Sequence, residues 1–218
     1  MRALDLKLIR DLRRIWAQAL AIALVLAAGI ATLIMAVGAH LSLYDTREAY
    51  YDRYRFSHVF ASAERVPRER LGQIRSIAGV AAADARIEST ALIDIEGMVA
   101  PATARIVSLP PERGSMLNAL LVREGRLPTP GQSNQAAASA AFADAQGLGP
   151  GDTLDVLLNG RKRTLTITAI AQSTEFIYAI GPGDLVPDNR RFGVLWIPRE
   201  AAEAAYDLEG AFNSVTVR

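Results

Sequence analysis

The side chains best able to do chemistry are few and scattered. His40 and His58 are the only histidines, and they lie too far apart in sequence to form a metal pair on one helix face. The chain has no cysteine, which removes disulfides and thiolate metal sites and leaves the compartment open. Carboxylates gather in the loop Gly181-Pro-Gly-Asp184 through Asp188-Asn189-Arg190-Arg191, and oxygen ligands of that kind suit calcium. The spacing matches no EF-hand, so a self-satisfied turn is the simpler reading. A phosphate loop ending in Gly-Lys-Ser/Thr, a His-Glu-x-x-His pair and a Gly-x-Ser-x-Gly elbow are all missing from the sequence. We therefore expect no catalytic, cofactor-binding or metal-binding residues, no cofactor and no enzyme activity in this chain.

The elements that would hold such residues have a much stronger pattern. From Ile15 to Tyr44 there is no Asp, Glu, Lys or Arg. A helix of that length is about 45 Å long, against about 30 Å for the hydrocarbon core of a bilayer. The pattern excludes a purely soluble protein and predicts a transmembrane helix over 15–44. Val37-Gly38-Ala39 would suit a signal peptidase, but the apolar run is about twice the expected length of a signal sequence. A retained anchor is the better reading.

Residues 1–14 hold five basic side chains and two acidic ones, leaving 19 basic and 21 acidic beyond them. Positive flanks stay cytoplasmic, so the amino end is expected inside and the large domain outside. With that charge balance and no basic stripe, nucleic acid is not an expected partner. Only Lys7 and Lys162 are lysines, against 22 arginines, a bias that reads as GC-rich coding and points to a bacterium.

Leu4, Leu8, Leu12 and Ile15 recur at helical spacing, opposite Arg2, Lys7, Arg10, Arg13 and Arg14. Residues 1–14 thus read as a cytoplasmic amphipathic helix lying in the membrane interface, with Trp16 anchored at the inner boundary. Within the span, Ala19, Ala23, Ala27 and Ala31 form an i+4 row beside Gly29 and Gly38. Small residues let helices approach closely in lipid, so this row is the expected packing face, although alanine is abundant throughout the chain. Tyr44, Tyr50, Tyr51 and Tyr54 cluster just beyond the span, as interfacial anchors would. No Gly or Pro interrupts that segment, so residues 45–56 are expected to continue the helix as a stalk.

Residues 57–218 read as an α+β extracytoplasmic domain. His58–Ser62 predicts a strand. Pro67, Leu71, Ile74 and Ile77 predict a helix ending near Gly79. Ile87, Ala91, Ile93 and Ile95 share one strand parity, with Arg105–Leu109 as the return strand. Near the end come strand Gly193–Ile197, a helix opened by Pro198 over Arg199–Tyr206, and strand Asn213–Val217. Two such strand–helix–strand units suggest a split ferredoxin-like sandwich built from 57–111 and 176–218. The stretch 112–175 reads as an inserted β-rich subdomain. It holds the turns Arg123–Pro128 and Gly149–Asp152, an alanine-rich helix over about 134–146, and a hairpin at Asn159-Gly160 between alternating Leu154, Val156, Leu158 and Leu165, Ile167.

Taken together, these features resemble the front of an FtsX-like ABC transporter permease of the MacB type. Arg123-Glu-Gly-Arg-Leu-Pro128, Gly147-Leu-Gly-Pro-Gly-Asp152, Tyr178-Ala-Ile-Gly-Pro-Gly-Asp184 and Arg191-Phe-Gly-Val-Leu-Trp196 are similar to stretches of its extracytoplasmic core domain. The resemblance covers essentially the whole chain. It implies a bacterial inner-membrane protein whose partners are membrane lipid, a separate cytoplasmic ABC ATPase subunit, further transmembrane helices from a C-terminal part or second chain, and an extracytoplasmic adaptor protein. It also implies transmitted movement: the ATPase drives the membrane helices, the stalk moves the external domain, and a lipid, lipoprotein, peptide or drug is exported or extracted. A single-pass sensor or adaptor that binds a ligand or partner protein is the alternative expectation, and a membrane-tethered enzyme a weaker one.

Overall fold

The computed structural model describes residues 7, 10, 13–95, 97–114 and 116–218. Two compact units divide the chain, Met1–Tyr50 and Tyr51–Arg218. Leu4, Leu8 and Leu12, the apolar face expected of the interfacial helix, lie outside the described residues.

The first unit is dominated by helix α1 (Trp16–Arg53), whose last turn belongs to the second. It runs 38 residues with none buried, so the expected span and most of the expected stalk are one unbroken helix. Thr32 and Thr46 turn their hydroxyls back to the carbonyls of Ala28 (2.9 Å) and Ser42 (2.7 Å), leaving no loose donor on the helix surface at those points. The helix ends in a turn that lacks the usual glycine. Arg55 takes a positive φ of 52°, the Phe56 N–H bonds back to the Tyr51 carbonyl at 2.9 Å and the Arg55 N–H to that of Asp52 at 3.1 Å. That is a Schellman cap, and its customary apolar contact is the Tyr51–Phe56 ring stack, centroids 4.8 Å apart.

In the second unit a small sheet comes first. Strands β1 (Val59–Pro67) and β2 (Ala83–Arg86) flank β10 (Ala211–Val217), each antiparallel to it. Helix α2 (Arg70–Arg75) connects β1 to β2, and its Leu71 and Ile74 pack on Ala83, Ala85, Phe212 and Val215. Two expectations change here. Pro67 closes strand β1 instead of opening the helix, and Ile77 is exposed beyond the helix end.

The remaining strands close on themselves. They are β3 (Glu88–Asp94), β4 (Ala102–Leu109), β5 (Leu121–Gly125), β6 (Gln135–Ser139), β7 (Thr153–Leu158), β8 (Arg161–Gln172) and β9 (Phe192–Pro198). The order β7-β8-β6-β9-β4-β3 returns to β7, which pairs with both β3 and β8. This is a six-stranded barrel. β5 lies outside the ring, paired with the far half of β8. A closed ring has no free edges.

Its interior parity is consistent around the ring. Ala91, Ile93, Ala102, Ala104, Ile106, Ala136, Ala138, Val156, Leu165, Ile167, Leu195 and Ile197 all point into one buried cluster. So narrow a barrel is filled by mixing small and large side chains, which accounts for the alanines. Helix α3 (Ala140–Gln146) plugs one end with Phe142, and helix α4 (Arg199–Tyr206) plugs the other with Ala201, Ala202 and Ala205. On the outside, Val107, Ala137, Val194 and Trp196 are covered by Met116, Leu120, Leu127, Phe176 and Ala179.

The chain is therefore mixed α+β with one N-terminal apolar helix, as its sequence suggests, but the split ferredoxin-like arrangement does not form. β9 and β10, joined by α4, belong to different sheets, and β10 alone fills the place between β1 and β2. Nor is 112–175 a separate insert: β6, β7 and β8 complete the barrel with β3, β4 and β9, because none of these hairpins can bury both faces alone. The alanine-rich helix expected over 134–146 begins only at Ala140. Ala136, Ala137 and Ala138 are fully buried in strand β6 between β8 and β9, where packing overrides helix propensity. The Asn159-Gly160 hairpin forms as expected, both residues with positive φ (47° and 77°) in a two-residue turn.

Candidate functional site

Two regions concentrate features beyond ordinary packing. The first is α1. Among the described residues it is the one helix long and apolar enough to cross a membrane. Ala19, Ala23, Ala27 and Ala31 lie on it as a row, with Ala23, Ala27 and Ala31 exposed and Ala19 partly buried. Trp16 and Tyr44 at the two ends of the apolar stretch are exposed, and the Arg47 guanidinium sits 4.8 Å above the Tyr44 ring, a favourable cation–π placement. Tyr50, Tyr51 and Tyr54 are partly buried and engaged in contacts.

The second is an ionic cluster between the small sheet and the barrel. The sequence Arg86-Ile87-Glu88 crosses from β2 to β3. Ile87 enters the barrel core, while strand alternation sends both charged neighbours to the other side. Arg86 is only 7% exposed. Its two terminal nitrogens grip Glu175 at 2.6 and 2.9 Å, and one of them also donates to Glu88. Glu88 accepts in addition from Ser214 Oγ at 2.7 Å and from the half-exposed Arg105 at 3.2 Å. Glu175 accepts from Asn118 Nδ2 at 3.1 Å. Burial by itself would lower the Arg86 pKa, but the hydrogen bond and charge of Glu175, then of Glu88, outweigh it and hold the guanidinium above its ordinary value.

Beside this cluster opens a cleft of about 400 Å³ lined by Phe56, Phe60, Ser62, Arg105, Glu88, Glu175 and Ser214. The two phenylalanine rings stand 5.9 Å apart on its apolar side. Every carboxylate oxygen of Glu88 and Glu175 already has a donor, so the arrangement is that of a structural clamp, not a general acid–base pair. Among the described residues no group of three His, Asp or Glu side chains is placed to hold a metal. In the Gly181–Arg191 loop, the backbone N–H of Asp184 closes a turn on Gly181 O at 3.1 Å, and the Asp188 carboxylate serves its own turn, Oδ1 accepting from the Arg190 N–H at 3.0 Å.

Sequence reasoning missed this cluster. Arg86, Glu88, Asn118 and Glu175 are distant in sequence, and the one local signal was a pair of charges flanking a core isoleucine.

No family model matches the chain, and no curated protein matches it. Solved structures do. It is similar to the periplasmic region of MacB from Actinobacillus actinomycetemcomitans, at 15% identity and a TM-score of 0.45, over 74% of this chain and 66% of that one. It is similar to the extracellular domain of the ABC-type transporter YknZ from Gram-positive bacteria, at 12% identity and a TM-score of 0.46, over 75% and 80%. A domain assigned to a permease of Porphyromonas gingivalis is similar at 14% identity and a TM-score of 0.43, over 72% and 68%. The chain thus spans just under two thirds of the MacB region's length.

Proposed function

We propose that this chain is the N-terminal part of an ABC transporter permease subunit, which couples a cytoplasmic ATPase to movement of an extracytoplasmic domain. The cargo class is lipid, lipoprotein, peptide or drug. The observation that carries this reading is α1, which continues without a break from an apolar stretch of spanning length into the tyrosine-rich segment ending at Arg53. A helix is stiff where a coil linker is not, so displacement at one end reaches the other. The sequence resemblance supports the same reading. On it, the ATPase resides in a separate subunit, the amino end is cytoplasmic, and Ala19, Ala23, Ala27 and Ala31 pack against further spanning helices.

The cleft lined by Phe56 and Phe60 favours a second reading, a membrane-anchored adaptor or sensor that binds a ligand. Affinity purification from native membranes in mild detergent, with mass spectrometry of bait and partners, separates the two. Co-purification of an ATPase together with further spanning helices is the expected result. A chain recovered alone overturns the transport reading and leaves the anchored binding domain.

A further inference from the structure

The strap joining β8 to β9, residues 173–191, contains no helix or strand and exposes Ile177, Tyr178, Ile180, Leu185 and Val186. It is fastened at its start by Glu175 in the grip of Arg86, and by the Phe176 ring, 6.2 Å from that of Trp196. Glu175 has a third partner, Asn118, which is 4% exposed and held in a left-handed turn (φ 51°).

Asn118 also holds the segment that leaves α1. Its backbone N–H donates to Arg55 O at 3.1 Å, and the next N–H, of Ala119, donates to Tyr54 O at 2.9 Å. The Asn118 Oδ1 accepts from the Ser57 N–H at 2.8 Å. The two arms of one planar carboxamide are therefore committed in different directions: the oxygen to Ser57, the nitrogen to Glu175. An amide has one acceptor arm and one donor arm in a fixed plane, so tilting it to follow one partner misaligns the other. In a buried site a polar group that loses its partner is not rescued by water.

We infer that Asn118 is a two-way coupler that ties the position of residues 54–57 to that of the 173–191 strap, so that the strap's exposed apolar face answers to the end of α1. The device goes beyond the transport reading and stands whether or not an ATPase is attached, because all its parts lie within Tyr51–Arg218. Coupling of this kind is reciprocal: loosening either end loosens the other by the same free energy.

Hydrogen–deuterium exchange on the full chain in detergent tests it with Glu175→Leu. That change removes the acceptor of Asn118 Nδ2 and leaves Arg86 paired with Glu88. Peptides covering 54–60, which the Glu175 carboxylate reaches through Asn118, are expected to exchange about tenfold faster, equivalent to about 1.4 kcal/mol of lost protection. The β7–β8 hairpin serves as the folding control and should be unchanged. Faster exchange confined to 173–191, with 54–60 at the parental rate, overturns the coupler. Should the control hairpin also lose protection, Asn118→Asp reads the same link from the other side. It keeps an acceptor for Ser57 but loses the donor to Glu175, so the strap must speed up, and an unaffected strap overturns the inference.

Discussion

Tyr51 and Phe56 stack at 4.8 Å across the turn that ends α1, with Arg55 between them in the left-handed region. The stack and the two backbone hydrogen bonds of the cap hold a conformation that costs a non-glycine residue about 1 kcal/mol. Arg55→Gly removes that strain while adding backbone freedom to the unfolded chain. The expected net gain is about 0.5 kcal/mol, read as a higher urea midpoint with an unchanged m value. Buried Trp196 supplies the fluorescence signal, in a Trp16→Phe background because the chain has two tryptophans.

Gly193 lies beneath Phe142, the residue that plugs one end of the barrel. A Cβ at 193 would meet the ring at 2.5 Å, and the ring is fully buried. Gly193→Ala is therefore expected to cost about 1–3 kcal/mol by overpacking. Gly72→Ala makes the control: it sits in α2 with nothing within 4 Å of the added carbon, and alanine in a helix is worth about 0.5–1 kcal/mol over glycine. Opposite shifts of the urea midpoint are expected. A harmless Gly193→Ala would mean that Phe142 does not plug the barrel.

Arg86, 7% exposed, balances Glu88 and Glu175 at the buried side of the cleft. Arg86→Ala leaves two carboxylates without their buried counter-charge, and breaking a buried pair from one side costs about 3–5 kcal/mol. The triple change Arg86→Met, Glu88→Gln, Glu175→Gln removes charge from both sides together and should recover most of that loss. If the single and triple variants unfold at the same urea concentration, the uncompensated charge is not the cause.

Tyr206 closes α4 against the barrel core, and burial raises its phenol above the ordinary value of 10.0. A raised pKa means that the folded state holds this proton more tightly than the unfolded chain. The corresponding stability is fully present below about pH 10, the unfolded value, and is lost as the pH rises through the folded one. Tyr206→Phe should therefore flatten the alkaline limb of the stability profile in the window from about pH 10 upward. Urea midpoints measured across that window, parent against variant, check the difference.

How much of this was legible in the sequence depended on whether the signal was local. Asn159-Gly160 announced its hairpin because only residues tolerant of positive φ fit that turn, and Pro198 announced α4 because a missing N–H costs nothing at a helix start. Ala136–Ala138 misled, since alanine favours a helix until a narrow barrel requires a small side chain in a strand. Barrel closure itself has no local signature: the β3–β7 pairing joins Ile93 to Val156, and nothing in either strand names the other. The same holds for Asn118 and Glu175, which meet only because the fold brings a turn and a strap together. Arg55 hid the end of α1 by doing what a glycine ordinarily does.

The alanine row on α1 is the remaining test of the assembly. Ala23 and Ala27 sit one turn apart on one side of the helix, and Ala21, two residues from Ala23, lies about 200° round from it. If the row packs against other spanning helices, isoleucine at 23 or 27 forces the backbones apart, because close approach in lipid depends on small side chains. The same substitution at 21 changes composition equally but faces elsewhere. Ala23→Ile and Ala27→Ile are expected to lower recovery of co-purifying spanning subunits several-fold in mild detergent, with Ala21→Ile at the parental level. Trp196 fluorescence should be identical in all three, since the barrel is untouched. Equal recovery from all three variants would remove the row from the packing face and leave its alanines as mere composition.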